Sequence, residues 1–265
     1  MSIILILGCQ KKEGVNEAGG GPDNSLERVK KSGVLMWGAD VIGGIPYVYE
    51  DPKNPGAYIG FEVDIIKAIA RNIGVEHKMV IRAWDTLIPE LQKSNFDMAM
   101  NGIEDTDDRR KIVLFSTPYF VYSQQITVRK NNNSIVGFED LRGKKVATLS
   151  GTAAEDMLRA VEGIDVRINP EIIYSYKDLE DGKVDAVVLD TPIAAAYGAT
   201  NPKLKNVGES FGEGTYAIAF RMEDKQLRDA VSQALQVIKE NGELSAIYQK
   251  WHLMDSHQNK IGINK

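Results

Sequence analysis

Side chains that could hold an anion occur close together between residues 101 and 119. Arg109 offers a planar fork of donors that fits a carboxylate in a bidentate manner, and it keeps its charge near neutral pH. Gly102 would let the backbone approach a ligand without a Cβ in the way. The types and spacing of these residues therefore favour a site for a carboxylate.

The same segment also fits a purely structural role. Thr106, followed by Asp107 and Asp108, has the pattern of a helix N-cap with acidic residues in the first turn. In that interpretation Arg109 is a solvated surface residue. Spacing alone does not separate the two interpretations.

Two later segments place polar groups at the ends of predicted strands. Thr152 and Ala153 open a predicted helix, and the free N–H groups of a helix start are a favourable place for a carboxylate. Thr152 with Glu155 also has the capping-box pattern. Asp190 ends a buried strand before a Thr-Pro helix start, so it could bind a ligand or cap that helix, whereas Asp185 is expected to serve structure.

The elements that would position these residues alternate between strand and helix, which predicts an α/β fold with largely parallel sheets. The first predicted unit has strands at 34–37, 78–81 and 97–100, a helix at 61–72 and a helix capped by Asp85 or Thr86. After an extended segment at 124–129, the second unit has strands at 145–149, 166–169 and 186–189 and helices at 152–161, 176–181 and 191–199. A strand at 216–220 and helices at 224–240 and 244–251 follow. Residues 101–119 come after the carboxyl end of a strand, where open α/β sheets bind ligands.

Composition excludes several classes of function. The 265 residues are 43% hydrophobic and 26% charged, as in an ordinary globular protein, and two lobes fit this length better than one large core. A net charge of −5 without a basic stripe makes nucleic acid an unexpected partner. Three histidines and one cysteine show no metal-ligand spacing, and no phosphate-binding glycine motif occurs, so no metal, nucleotide or other cofactor is expected.

The N-terminus predicts a processed leader. Residues 1–8 are apolar but far too few to span a bilayer, and Cys9 follows at once. Residues 6–9 resemble a bacterial lipobox, in which the cysteine becomes acylated. Residues 10–24 could not form a core and suit a flexible tether. The alternative is a chance apolar start with an idle thiol.

Residues 101–119 resemble the signature segment of the polar amino-acid-binding proteins of ABC uptake systems, solute-binding protein family 3. Gly102, Ile103, Thr106 and Arg109 carry the resemblance, together with Phe-Ser-x-Pro-Tyr at 115–119. The layout of about residues 25–255 resembles the two-lobed type II periplasmic-binding-protein fold, each lobe a mostly parallel sheet flanked by helices. The resemblance implies a leader and tether at 1–24, a first lobe at 25–125 and 215–265, and a second lobe at 126–214. The strands that join the lobes are expected near 124–128 and 209–215.

The resemblance also implies a site between the lobes. Arg109 and backbone donors at Thr152 and Ala153 would hold the carboxylate of an amino acid, and Asp190 would hold its α-ammonium group. The first lobe would add Asp40, Trp84, Asn101, Gly102 and Glu104.

Departures from the family pattern bear on the ligand. Gly43 and Gly44 stand where the family often has an aromatic residue at the base of the side-chain pocket, and Tyr47 could take the place of that aromatic residue. Glu104 stands where many family members have Ser or Thr. Trp84 could cover the aliphatic part of the ligand or belong to the core. The candidate site has three acidic side chains, those of Asp40, Glu104 and Asp190, and one basic side chain, that of Arg109. This excess of negative charge favours a basic amino acid as the ligand. Glutamine is an alternative ligand, because backbone donors could bind the Asp40 carboxylate and the Glu104 side chain could turn out of the site.

The function that follows is a non-catalytic, extracytoplasmic binding protein that delivers a polar amino acid to an ABC permease. We expect a monomer, periplasmic or otherwise outside the cytoplasm, with acylated Cys9 as its attachment to the membrane. One alternative is an enzyme resembling cyclohexadienyl dehydratase, with Glu104 as general acid, although Arg109 beside it would favour the charged form. Another is a ligand-sensing domain, against which the absence of an apolar run long enough to span a membrane counts.

Overall fold

The computed structural model describes residues 23–42 and 44–263. The predicted lipobox with Cys9 and most of the predicted tether lie outside the described residues. The strands, in chain order, are β1 Val34–Ala39, β2 Tyr49–Glu50, β3 Tyr58–Ile59, β4 Glu76–Ile81, β5 Met98–Ala99, β6 Leu114–Phe115, β7 Phe120–Arg129, β8 Lys145–Leu149, β9 Asp165–Asn169, β10 Ala186–Asp190, β11 Leu204–Tyr216 and β12 Ala219–Phe220. The helices are α1 Ser25–Ser32, α2 Phe61–Ile73, α3 Leu87–Gln92, α4 Asp107–Arg110, α5 Ala153–Arg159, α6 Ile172–Glu180, α7 Thr191–Ile193, α8 Lys225–Glu240 and α9 Glu243–Lys250.

The first sheet has the strand order β4-β1-β5-β12-β6. Strands β4, β1 and β5 are parallel, and β12 from the end of the chain inserts antiparallel between β5 and β6. Helix α2 covers this sheet with its apolar side, including Ile66 and Ile69, and stops at Gly74, whose φ of 82° suits a glycine C-cap. We call this sheet with α1–α4, α8 and α9 the first lobe.

The second sheet has the strand order β11-β7-β10-β8-β9 and comes entirely from the middle of the sequence. Strands β9, β8 and β10 are parallel, while β7 runs antiparallel to both β10 and β11. We call this sheet with α5, α6 and α7 the second lobe. The two-lobed α/β architecture predicted from the sequence is confirmed, and the lobe limits in residue numbers stay a prediction.

The long strands β7 and β11 pair with each other and continue out of the second sheet toward the first lobe. Over residues 120–122, β7 has no pairing to β10, which contacts it only over residues 124–128. Here the buried carboxamide of Gln258 takes the place of a strand. Its Oε1 accepts from Val121 N at 2.9 Å and its Nε2 donates to Val121 O at 2.9 Å. In the same C-terminal turn, Lys260 pairs with Glu213 of β11 at 2.6 Å.

Aromatic rings fill the space where β7 and β11 meet the first lobe. Tyr216, fully buried, stacks on Tyr122 with ring centroids 4.6 Å apart and on Phe120 at 5.7 Å. Tyr47 contacts Tyr216 edge-on at 5.8 Å. Close aromatic contacts of this kind add to the free energy gained by burying the rings. They fix Tyr216 at the junction of the two lobes.

Three predicted elements differ from those observed, and one is the helix predicted at 176–181, because α6 spans Ile172–Glu180 and starts earlier. The predicted strand at 216–220 is wrong as a single element, because β11 ends at Tyr216 in the second sheet and β12 starts at Ala219 in the first. A continuous apolar run cannot reveal that its two ends pair in different sheets. The predicted helix at 191–199 is α-helical only over α7 and continues as a π-helical turn over Ala194–Gly198. Within residues 23–42 and 44–263, no helix is long and apolar enough to span a membrane.

Candidate functional site

A cleft opens where the strand ends of the two lobes face each other. Residues from both lobes line it. Those of the first lobe include Asp40, Tyr47, Trp84, Asn101, Gly102 and Glu104, and those of the second include Leu149, Thr152, Glu171, Ile172, Leu189 and Asp190. Of the nine predicted ligand-binding residues, seven line the cleft directly, and Arg109 and Ala153 contact it through Glu104.

Arg109 turns toward Glu104 beside the cleft rather than into solvent. Thr106 caps α4 by accepting from Arg109 N at 3.3 Å, as the capping pattern predicts. The guanidinium nevertheless turns inward and is only 13% exposed. Its Nη1 donates to Glu104 Oε2 at 2.5 Å, and its Nη2 donates to Gly151 O of the second lobe at 2.8 Å. It also lies over the Trp84 ring, 5.2 Å from the centroid, a favourable cation–π contact.

The carboxylate of Glu104 occupies the donors that were predicted for a ligand carboxylate. While Oε2 accepts from Arg109, Oε1 accepts from Ala153 N at 3.0 Å. Ala153 is the first residue of α5, and Thr152 caps that helix by accepting from Glu155 N at 3.2 Å. Glu104 is only 1% exposed, so the interpretation in which it turns outward is wrong.

Asp190 lies buried at the end of β10, opposite Gln124 of β7. Its Oδ1 accepts from Gln124 Nε2 at 2.6 Å, and its Oδ2 accepts from the hydroxyl of Tyr216. Its side chain makes no capping hydrogen bond to α7, so the structure does not give it that alternative role. Burial, and then the negative charge of Glu104, raise the pKa of Asp190 well above its usual range. A cationic group placed beside it would stabilise the ionised carboxylate and lower this pKa.

Asp40 and Trp84 form the other wall of the cleft. The Asp40 carboxylate accepts from Ile42 N at 2.8 Å and from Trp84 N at 3.1 Å, so backbone donors occupy both of its oxygens. Burial raises the pKa of Asp40. Asn101 ties the wall together, since its Oδ1 accepts from Asp40 N at 3.1 Å and its backbone oxygen accepts from Trp84 Nε1 at 2.8 Å.

Gly102 lies where no side chain would fit. Its φ is +61°, and a Cβ there would lie 2.8 Å from the ring of Tyr47. The hydroxyl of Tyr47 lies 2.8 Å from that of Tyr216, so Tyr47 lies between the glycine and the Asp190 network, at the base of the cleft.

Several site residues were not found from the sequence. Glu62 lies under the cleft and accepts from Gly102 N at 2.7 Å. In the sequence it looks like an ordinary acidic residue in the first turn of a helix. Gln124 and Tyr216 hold Asp190, but only the pairing of distant strands brings them there. Glu171 lines the rim, and burial followed by the charge of Asp40 raises its pKa.

The cleft is acidic. Four carboxylates line it, those of Asp40, Glu104, Glu171 and Asp190, and no Lys, Arg or His is among the described residues that do so. Arg109 forms an ion pair with one of these carboxylates, that of Glu104. Within the described part of the chain, no group of three or more His, Cys, Asp or Glu side chains could hold a metal ion. The arrangement suits a ligand that brings positive charge.

The two lobes, the strands that join them and the polar cleft between them define a solute-binding protein with the type II periplasmic-binding-protein fold. The match to a family confirms this class. Residues 42–254 match the bacterial extracellular solute-binding proteins, family 3, and the chain belongs to that family.

Relatives and solved structures agree with the family. The chain is 32% identical over 254 residues to the L-cystine-binding protein TcyJ of Escherichia coli (strain K12), covering 95% of this chain and 92% of that protein. It resembles holo ArgBP from T. maritima with a TM-score of 0.76 and 34% identity, covering 85% of this chain and 99% of the other. It also resembles the ancestral amino acid-binding protein AncCDT-1, a precursor of cyclohexadienyl dehydratase, with a TM-score of 0.80 and 33% identity, covering 86% and 99% of the two chains.

Proposed function

We propose that this chain captures an amino acid with two cationic groups in the cleft between its lobes and delivers it to an ABC permease. The observation that carries the proposal is the set of charges in the cleft. Three carboxylates lack a cationic partner there, while one arginine and one backbone N–H on opposite lobes converge on a single carboxylate position. An amino acid supplies a carboxylate for that position and an ammonium group for the acids.

Asp190 is the acceptor that we assign to the α-ammonium group. It is buried at the base of the cleft, and Gln124 and Tyr216 hold its carboxylate in one orientation. An ion pair formed there is shielded from water and is stronger than a pair at the surface. Because burial raises the pKa of Asp190, a cation that enters beside it would stabilise the ionised carboxylate and lower that pKa.

The remaining acids define the class of ligand. Glu171 at the rim and Glu104 leave negative charge that one ammonium group does not balance. A second cation on the ligand, as in arginine, lysine or ornithine, would balance more of it. The names of the arginine-binding relatives support this choice. L-cystine, which the relative TcyJ binds, also has a second ammonium group, but that group comes with a second carboxylate.

We infer that the protein does not catalyse a reaction on its ligand. A general acid must hold a proton that it can donate into the cleft. Both oxygens of Glu104 instead accept hydrogen bonds, from Arg109 and from Ala153 N. Without a ligand the carboxylate is therefore a hydrogen-bond acceptor on both sides, and this arrangement does not support a role as general acid.

Delivery requires that the ligand favours the closed arrangement of the lobes. Only when the lobes meet can donors and acceptors from both reach the same small molecule. We infer that the closed protein, acting as a monomer outside the cytoplasm, is the form that an ABC permease recognises. Acylation of Cys9 would keep it close to that permease at the membrane.

A thermal-shift screen tests this function. Protein that has been unfolded and refolded to remove carried-over ligand is heated with each common amino acid, ornithine, citrulline, cystine and prephenate. A ligand that binds only the folded state raises the melting temperature. We expect selective shifts with amino acids that carry two cations. A shift with prephenate alone would instead support the dehydratase.

The same screen on the variant Arg109→Ala tests whether the amino acid binds in the cleft or elsewhere on the surface. Loss of the guanidinium should weaken amino-acid binding by about 100-fold or more, because a charge-assisted contact to the carboxylate is removed. The matched control is Arg110→Ala. Arg110 has an exposed side chain that pairs with Asp105 at 2.6 Å, and its loss should leave binding unchanged. Equal effects of the two substitutions would refute the assignment of Arg109.

A further inference from the structure

Glu104 makes the contacts that a bound amino acid would make with its carboxylate. Its Oε2 accepts from Arg109 Nη1 at 2.5 Å and its Oε1 accepts from Ala153 N at 3.0 Å. A carboxylate of a ligand cannot use these two donors while Glu104 does. The side chain is 1% exposed, so water does not compete for them.

The same contacts join the two lobes. Glu104 and Arg109 belong to the first lobe, whereas Ala153 belongs to the second. Arg109 adds a second link by donating from Nη2 to Gly151 O at 2.8 Å. The backbone around Glu104 is fixed by the end of β11 that reaches the first lobe, because Glu104 forms a bridge with Tyr216 and Asp105 N donates to Thr215 O at 2.9 Å. The side chain is thus presented to the second lobe from a rigid base.

We propose that Glu104 is a resident occupant of the carboxylate site, which holds the lobes together until a ligand displaces it. The proposal rests on the proposed function, since the displacing group is the carboxylate of an amino acid. It makes Glu104 a specificity-determining residue as well as an inter-lobe contact.

Displacement selects the ligand by charge. When the carboxylate of an amino acid takes over Arg109 and Ala153 N, the Glu104 carboxylate loses its partners inside a cleft that already holds Asp190. An unpaired buried carboxylate is costly, so it needs a new cation. An α-ammonium group alone would have to serve Asp190 and Glu104 together. A ligand with a second cation can pair with both, and neutral amino acids are therefore disfavoured.

Arginine and citrulline test this selection, because they have nearly the same shape and differ in the charge at the end of the side chain. Calorimetry would compare both ligands on the wild-type protein, Glu104→Gln and Glu104→Ala. We expect both substitutions to lower the preference for arginine over citrulline by about tenfold or more, with citrulline binding more tightly than to the wild type. The control, Asp105→Asn, removes the same charge one residue later, where the carboxylate pairs with Arg110, and should leave the preference unchanged. Parallel weakening of both ligands would overturn the proposal.

Small-angle scattering tests the inter-lobe contact without any ligand. Refolded Glu104→Ala should have a larger radius of gyration than the wild type and than Asp105→Asn, because the lobes lose one of the contacts that join them. An unchanged radius would overturn the proposal. If neither arginine nor citrulline binds any variant, the proposed ligand class fails, and the scattering result alone then decides on Glu104.

Discussion

At the scale of single residues, the sequence indicates which side chains can meet a ligand but not which of them meet each other. Arg109, Ala153 and Asp190 stand out because their positions follow strand ends and helix starts. Glu104 also stands out as a departure from the family pattern. That its carboxylate turns inward, onto donors from both lobes, depends on distances between segments that are 49 residues apart in the chain. No local pattern contains that information.

Replacing Asp190 by asparagine removes the negative charge of the side chain and keeps its shape, so the variant tests the charge alone. Asp190→Asn should weaken binding of a cationic amino acid by about 100-fold or more, since the buried ion pair is lost. The melting temperature of the protein without ligand should stay the same or rise, because burial disfavours the ionised carboxylate. Calorimetry and thermal denaturation would measure the two effects.

Asp185→Asn is the matched control for that substitution. Asp185 lies just before the other end of β10 and its side chain is 41% exposed. It accepts from Lys145 N at 3.0 Å, which an asparagine oxygen can also do. Ligand binding should be unaffected. If both variants lost binding equally, Asp190 would act through the stability of the second sheet and not through its charge.

At the scale of elements, the alternation of strand and helix predicts which segments form the parallel strands. It does not predict where the chain passes from one sheet to the other. The run at 216–220 is the clearest case, because hydrophobicity is the same on both sides of the change of sheet. Glu62 of α2 is a second feature that the sequence pattern does not predict. Glu62 looks like a helix-start residue, yet it is fully buried and its Oε1 accepts from Gly102 N and from the Tyr119 hydroxyl.

Glu62 should make the stability of the first lobe depend on pH. Burial raises its pKa to about 7 from the ordinary value of 4.5, in spite of the hydrogen bond from Tyr119. Between these values the folded protein keeps a proton that the unfolded chain has lost, so raising the pH through this window lowers stability. Glu62→Gln lacks this dependence. Its free energy of unfolding relative to the wild type should rise by about 2 kcal/mol from pH 5 to pH 8.

Chemical denaturation at the two pH values measures that difference. The control is Glu27→Gln, an exposed acid in the first turn of α1, which should show no change in its difference from the wild type. A pH-independent difference for Glu62→Gln would mean that the buried carboxylate is ionised throughout, held by its donors.

At the scale of the whole molecule, the two-lobed layout is predicted by the resemblance to the family, and the structure confirms it. The C-terminal turn is not predicted. Ser256–Ile261 lies beyond the residues that match the family, which end at 254, and its polar sequence gives no sign that Gln258 is fully buried. Only the unpaired stretch of β7 explains why a carboxamide is needed there.

Gln258→Ala should therefore destabilise the junction of the lobes. It leaves the N–H and C=O of Val121 buried without partners, which costs about 2 kcal/mol or more. Denaturant unfolding would show the loss. The neighbour Asn259 is exposed, and Asn259→Ala should change the free energy of unfolding by less than about 0.5 kcal/mol. Similar losses for the two variants would contradict the role of the carboxamide.

The position of Trp84 gives the cleft its own optical signal. Of the three tryptophans, Trp37 is fully buried in the first lobe and Trp251 donates to Asp64 at 2.8 Å on α2. Only Trp84 lies beside the Arg109 guanidinium, and its indole emission responds to the charge and the water around the ring. Ligand entry rearranges both. Intrinsic fluorescence can therefore follow occupation of the cleft in real time, with Trp37 and Trp251 contributing a constant background.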